Sequence, residues 1–230
     1  MSIYITGDTH GDYNRLVEIA GNLEAGDILV VCGDWGYALY NDKDEARLLD
    51  DLEKMPYSIL FVDGNHENFP LIYSYPEEKW NGGKIHRISK NIAHLKRGQV
   101  FTIEGLKFFT FGGGYSLDKA RRTEGVSWWK EEMPTYEEMD EGKRNLEKHN
   151  FEVDYILTHT VNTETIKILP MLLKGGVKPL VSEELPLNCY LEDIRKTVRY
   201  KKWFFGHFHY DIEIPLTNQR MVYFDMIKIN

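Results

Sequence analysis

Ser2-Ile3-Tyr4-Ile5-Thr6-Gly7-Asp8-Thr9-His10-Gly11 is a short apolar, β-rich run that stops abruptly on a glycine, an aspartate and a histidine. The same construction returns four times. Ile28–Cys32 runs into Gly33-Asp34-Trp35-Gly36, and Ser58–Val62 runs into Gly64-Asn65-His66-Glu67. Val153–Leu157 leads to Thr158-His159-Thr160, and Trp203–Phe205 leads to Gly206-His207-Phe208-His209. Residues just past the carboxyl ends of strands in a parallel or mixed sheet converge on one crevice. Five strand ends that each deliver Asp, Asn or His therefore point to a shared polar site.

Between these blocks the pattern alternates. Leu16, Ile19, Ala20 and Leu23 recur at helical spacing within Asp12–Leu23, and Ala46, Leu48, Leu49 and Leu52 do so within Asp42–Lys54, before Pro56. The order β-α-β-α-β over the first seventy residues predicts a parallel core. Beyond Lys84, Ile92–Leu95, Gln99–Glu104 and Leu106–Phe111 read as short strands, with Glu104-Gly105 as a hairpin turn, adding antiparallel strands. Helices are expected near Thr163–Leu169 and Leu191–Tyr200. Ile212–Ile214 and Met221–Ile229 are expected to close the chain as a hairpin. A polar, aromatic stretch from about 115 to 150 follows Gly112-Gly113-Gly114 and contains Arg121-Arg122, Trp128-Trp129 and a Glu-rich helix pattern. It is expected to be a cap-like insertion in a single domain spanning 1–230.

Composition narrows the function. With 230 residues the chain can bury a core without metal or disulfides, and its two cysteines, Cys32 and Cys189, form no CxxC pair. Cys32 reads as a small core hydrophobe. No apolar stretch approaches the roughly 18 residues of a membrane helix, and the chain enters a strand pattern at once, so cytoplasmic location is the expectation. The net charge of −8 argues against broad duplex nucleic-acid binding. It leaves a phosphate substrate open, because bound metal ions dominate local charge. GxSxG, GxGxxG and GxxxxGK[ST] are all missing, which removes the nucleophile elbow, dinucleotide binding and P-loop chemistry.

The ligand chemistry is specific. Asp8 and His10 offer a carboxylate and an imidazole to one cation, and a mixed O/N set suits Mn, Fe, Co or Zn better than Mg or Ca. Asp34 has two oxygens with which to bridge a pair of ions, and Asn65 with further histidines completes a second position. Two ions about 3.5–4 Å apart orient a phosphate and lower the pKa of a bound water. Two aspartates against two divalent ions and a hydroxide leave the cluster near +1, which attracts a phosphoryl group.

Taken together, GDTHG, GDWG, GNHE, the strand-end histidine and GHFH resemble, in order, the five signature blocks of the calcineurin-like metallophosphoesterases. The resemblance runs from residue 7 to residue 209. It implies an α/β fold, a four-layer αββα sandwich of two mixed sheets flanked by helices. It implies that Asp8, His10, Asp34 and His209 hold one divalent transition-metal ion, and Asp34, Asn65, His159 and His207 the other. His66 resembles the family histidine that assists the leaving oxygen. The implied activity is hydrolysis of phosphomonoesters or phosphodiesters, nucleotides among them, by a metal-activated hydroxide, with manganese the first expectation for the ions.

Two departures stand out. The second block lacks the GDxVDRG extension, so an arginine that grips phosphate and a partner that orients His66 must come from elsewhere. Arg121 and Arg122 are the candidates, since guanidinium matches phosphate. The fourth block reads Thr-His-Thr where many members have Gly-His, which leaves the ligand intact. Trp128 and Trp129 either stack a nucleobase or anchor the cap. His86, His94 and His149 read as ordinary histidines, and Asp63 and Glu67 as solvent or loop hydrogen-bonding groups. Two other classes compete: a binding or scaffold protein on the same fold, and a nuclease acting on short single strands. Scaffold members usually lose ligands or the catalytic histidine, whereas all eight positions are filled here.

Overall fold

Every residue of Ile28–Cys32 is buried, which fits a parallel strand covered on both faces. In the computed structural model, which describes residues 1–173 and 181–229, this strand is β2, beside β1 (Ile3–Thr6). Between them runs α1 (Tyr13–Ala20), whose N-cap Asp12 accepts from Arg15 N. The chain continues through α2 (Lys43–Glu53), β3 (Ser58–Val62) and α3 (Phe69–Ser74). A hairpin of β4 (Glu77–Trp80) and β5 (Gly83–Arg87) follows, then β6 (Ile92–Leu95). The first sheet is completed by a strand from the chain's end, Ile227–Ile229, and runs in the order Ile227–Ile229, β1, β2, β3, β6, β5, β4. β1, β2, β3 and β6 are mutually parallel.

The second sheet starts with the antiparallel pair β7 (Gln99–Ile103) and β8 (Leu106–Phe111). Next come α4 (Tyr136–Lys148), β9 (Tyr155–Thr158), α5 (Thr163–Leu172) and α6 (Leu185–Thr197). β10 (Lys202–Phe205), β11 (Ile212–Ile214), β12 (Gln219–Met221) and β13 (Ile227–Ile229) follow. The sheet order is β11, β12, β10, β9, β8, β7, with β8, β9 and β10 parallel.

Three apolar clusters show how the layers stack. Leu16, Ala20 and Leu52 from helices meet Leu29, Val31, Ile59 and Phe61 on the outer face of the first sheet. Ile5, Val30, Leu60 and Val62 face Phe101, Phe108, Leu157 and Phe204 between the sheets. Phe109, Ile156, Trp203 and Phe205 meet Met139, Leu146, Ile166, Leu169 and Leu191 on the outer face of the second sheet. The period-2 alternation of β2 explains the split, since Val30 faces the other sheet and Leu29 and Val31 face helices. The fold is thus the expected α/β arrangement of two mixed sheets between helices. Within 115–150, α4 belongs to the outer helical layer through Met139 and Leu146, while Ser116 and Arg122 meet Asn65 and His66 of the third block.

The elements differ from expectation in four places. The hairpin β4–β5 falls where the sequence pattern predicts no strand. β6 pairs parallel with β3, although it is antiparallel to β5. α6 begins at Leu185, earlier than the apolar spacing suggests. Met221–Ile229 is not one arm of a hairpin: β12 pairs with β11, and β13 crosses to β1 in the other sheet. The break between them is set by Asp211, whose carboxylate accepts from the N–H groups of Tyr223, Phe224 and Asp225. No described helix is long and apolar enough to cross a membrane.

Candidate metal centre

The loops after β1 and β2 stay paired beyond the sheet. Asp8 N donates to Gly33 O (3.1 Å), His10 N to Asp34 O (2.8 Å) and Gly11 N to Trp35 O (3.0 Å). Asp8, His10, Asp34, His207 and His209 all take positive φ, between 48° and 70°. That region is uncommon outside glycine but enriched for Asp and His. Two glycines are required by close approach. A Cβ at Gly64 would lie 2.0 Å from Asp34 Oδ1, and one at Gly206 would lie 2.2 Å from Asp8 Oδ2.

All seven expected ligand residues converge. Ligand atoms of Asp8, His10, Asp34 and His209 lie within 4.8 Å of one another, with His10 Nε2 3.0 Å from His209 Nε2. A second group adjoins it: His159 Nε2 lies 3.0 Å from Asn65 Oδ1 and 3.1 Å from His207 Nδ1. Asp34 sits between the groups, Oδ2 being 3.7 Å from His10 Nε2 and Oδ1 3.5 Å from His159 Nε2. His159 Nδ1 faces the Cys32 carbonyl at 2.9 Å. Donation there assigns the proton to Nδ1 and leaves the Nε2 lone pair on the site.

Burial first, and then the neighbouring Asp34, push the Asp8 carboxyl well above its usual range. Burial also pushes Asp34 upward, but His159, His66 and His10 outweigh it and hold Asp34 below the usual range. Burial lowers His159 to about 3, and burial together with His10 lowers His209 to about 4, so both rings are neutral near pH 7. Two nearly fully buried carboxylates, an amide oxygen and imidazole nitrogens thus aim lone pairs at common points. His159 Nε2 and Asn65 Oδ1 face each other as two acceptors at 3.0 Å, a contact that a cation between them would relieve. The donor set fits divalent transition ions of the borderline class.

His66 stands beside the first group, its ring centroid 5.4 Å from that of His10, and its backbone N–H donates to Asp34 Oδ1 (2.8 Å). Its pKa is lowered by burial, with Arg122 and His10 adding to the effect and Asp34 opposing it. Of the two candidate arginines, the fold brings one to the site. Arg122 Nη2 lies 3.4 Å from His66 Nε2, while its Nε is held by Asp118 (2.7 Å) and its Nη1 by Ser127 O (3.0 Å). Arg121 is exposed on a short 3-10 turn and makes no side-chain hydrogen bond among the described residues. Trp129 is buried, and Trp128 packs with Tyr115 around the Lys119 ammonium.

Several supporting groups lie outside the blocks. Arg15, buried on α1, donates to the carbonyls of Asp8 (2.5 Å), Gly7 (3.0 Å) and Tyr223. Tyr223 in turn stacks on His209 at 4.7 Å. Asp63 and Glu67 are fully buried, not solvated. Glu67 accepts from Trp35 N (2.8 Å) and clamps the Asp34 loop. Asp63 pairs with Arg97 and with His94, whose other ring nitrogen meets His86. The one readable signal for Arg15 was an arginine in the first turn of a helix, where the macrodipole disfavours a cation.

A family model described as calcineurin-like phosphoesterase matches residues 1–211. No curated protein matches the chain. Among solved structures, the phosphopantetheinyl hydrolase (PptH) of Mycobacterium tuberculosis is similar at 16% identity and a TM-score of 0.48, over 96% of this chain and 88% of that one. The chain belongs to the calcineurin-like phosphoesterase family, and it is a metal-dependent phosphoric ester hydrolase.

Proposed function

We propose that this hydrolase works with two divalent transition-metal ions, manganese first among them, on phosphomonoesters or phosphodiesters of small molecules such as nucleotides. The observation that carries the two-ion reading is Asp34, whose two oxygens face two separate imidazole sets. Asp8, His10, Asp34 and His209 would hold one ion, and Asp34, Asn65, His159 and His207 the other. When bound, the ions supply Lewis acidity toward the phosphoryl oxygens and a nucleophile from water at neutral pH.

The chain's own groups supply the rest. Burial lowers the pKa of His66 while Asp34 beside it opposes that shift, so the ring is placed to take up a proton and pass it from its imidazolium form to the leaving oxygen. Arg122 keeps one edge of its guanidinium toward His66 and the substrate side, while Asp118 and Ser127 hold the others. It therefore offers phosphate one charge-assisted hydrogen bond in place of the missing second-block arginine. Residues 115–134 select the organic part of the substrate. The acidic balance disfavours long duplexes and leaves nucleases of short single strands as the second reading. The free thiols of Cys32 and Cys189 suit a cytoplasmic setting.

The test loads metal-free protein with Mn²⁺, measures occupancy, and follows p-nitrophenyl phosphate and bis-p-nitrophenyl phosphate. Hydrolysis that falls about 10²–10⁴-fold in His66→Gln with both ions retained is the expected outcome. Hydrolysis of neither compound at confirmed occupancy of two ions overturns general phosphoesterase action.

A further inference from the structure

An asparagine ligates through its oxygen alone, so one of its two amide faces is useless to a cation. Which face Asn65 presents is decided outside the block. Asn65 Nδ2 donates to Ser116 Oγ at 3.0 Å, and Ser116 Oγ directs its own proton to the main-chain carbonyl oxygen of Asn65 at 3.4 Å. The hydroxyl therefore meets the amide as an acceptor. Asn65 Oδ1 is left facing His159 Nε2 at 3.0 Å, acceptor to acceptor. Without an ion, a flipped amide would suit His159 better, because the NH₂ would then donate to that lone pair.

The serine is itself held. Ser116 N donates to Glu132 Oε1 and Tyr115 N to Glu184 Oε1, both at 3.0 Å, and Ser116, Glu132 and Glu184 are all buried. Glu184 also accepts from Thr160 in the fourth block. The approach to Ser116 lies against the ligands, since a Cβ at Gly114 would stand 3.1 Å from His159 and 3.3 Å from Asn65 Oδ1.

We propose that Ser116, outside every signature block, is a positioning residue of the metal centre: it turns Asn65 Oδ1 toward the second ion and so makes the 115–134 segment part of the metal site. This rests on the two-ion reading above. The experiment titrates metal-free protein with Mn²⁺ by calorimetry, alongside thermal unfolding of the metal-free forms. Ser116→Ala is expected to keep the first ion and to bind the second about 10–100-fold more weakly. Ser116→Thr, which retains the hydroxyl, is expected to restore it, and in an Asn65→Ala background Ser116→Ala adds no further loss. Should Ser116→Ala not fold, Ser116→Cys keeps the volume with a poor acceptor and carries the same expectation. Two ions at wild-type affinity in folded Ser116→Ala, or an additive loss in the Asn65→Ala background, overturns the inference alone. One ion on the wild type overturns the two-ion reading and this inference with it.

Discussion

Replacing Arg97 by methionine keeps the apolar stem and removes a charge from the protein's interior. Arg97 Nε and Nη2 reach Asp63 Oδ2 at 2.8 and 2.5 Å, and the two side chains are 2% and 0% exposed. The guanidinium also donates to Glu131 O (2.7 Å) and to Glu138 Oε2 (3.2 Å). In Arg97→Met the Asp63 carboxylate keeps one partner, His94 Nε2 at 3.0 Å. Breaking one side of such a buried pair costs about 3–5 kcal/mol. At about 2–4 °C per kcal/mol for a chain of this size, Tm should fall by about 6–20 °C. Burial pushes Asp63 upward, but Arg97 and His94 outweigh it and hold its pKa below the usual carboxylate range. A carboxylate depressed below its unfolded value of about 3.9 contributes stability that is present above that pH and lost as pH falls through the folded value. The gap between parent and variant should thus be full at pH 7 and narrow below about pH 4. Urea unfolding of both metal-free proteins at several pH values measures it. A gap under about 1 kcal/mol at pH 7, or one that does not narrow in acid, refutes the assignment of a stabilising buried pair.

Arg122→Ala should lower kcat/KM about 10–150-fold, the loss of one charge-assisted hydrogen bond worth about 1.5–3 kcal/mol, while Arg121→Ala stays within about twofold. The reverse ranking in steady-state kinetics would remove Arg122 from the substrate site. Burial and the adjacent His94 lower His86 to about 4. Its neutral form is favoured by folding, so this contribution is complete above its unfolded value of about 6.5 and fades toward pH 4. His86→Phe should flatten that acid loss by about 1–3 kcal/mol, and equal pH profiles in denaturant unfolding would count against it. Chelation should abolish turnover yet leave cooperative unfolding, because the ligand loops are held by hydrogen bonds within the chain; loss of the unfolding transition would show that metal is needed to fold.

The proposed ligands, which the fold does bring together, were legible because few residue types bind such ions and because each sits where a strand visibly stops. The residues that aim them were not, since their partners lie far away in sequence. Arg15 reaches Tyr223 across the chain, and Ser116 reaches Asn65 across 51 positions. The choice between Arg121 and Arg122 turns on which side of one 3-10 turn faces His66, which composition does not encode. The β4–β5 hairpin carried a readable turn, Asn81-Gly82, and both residues take the positive φ that a primed turn needs. Its flanks, Glu77–Trp80 and Gly83–Arg87, are too charged to show alternation. In the last stretch the apolar run Met221–Ile229 hid a break made by a distant side chain, Asp211.

The positive φ angles connect these supports to function. A regular strand would send Asp8 and His10, two positions apart, along one extended line; the left-handed turns fold both onto one point beside Asp34. Sparsely populated backbone of this kind costs roughly 1 kcal/mol or more per residue, and five of the proposed ligands share it. The cost is met by bonds that involve no ion: the Asp8–Gly33 and His10–Asp34 amides, His207 N on the Asp8 carboxylate, and the Arg15 guanidinium on the Gly7 and Asp8 carbonyls. Strain that packing and hydrogen bonding already offset in the folded chain need not be offset again on binding. If these residues hold the ions as proposed, an arriving ion would meet an ordered set, and its binding free energy would go to desolvation and charge. By the same reasoning Arg15 and Glu67, which hold the backbone of the Asp8 and Asp34 loops, are expected to act on metal affinity through it, so Arg15→Met and Glu67→Gln should weaken Mn²⁺ binding in calorimetry.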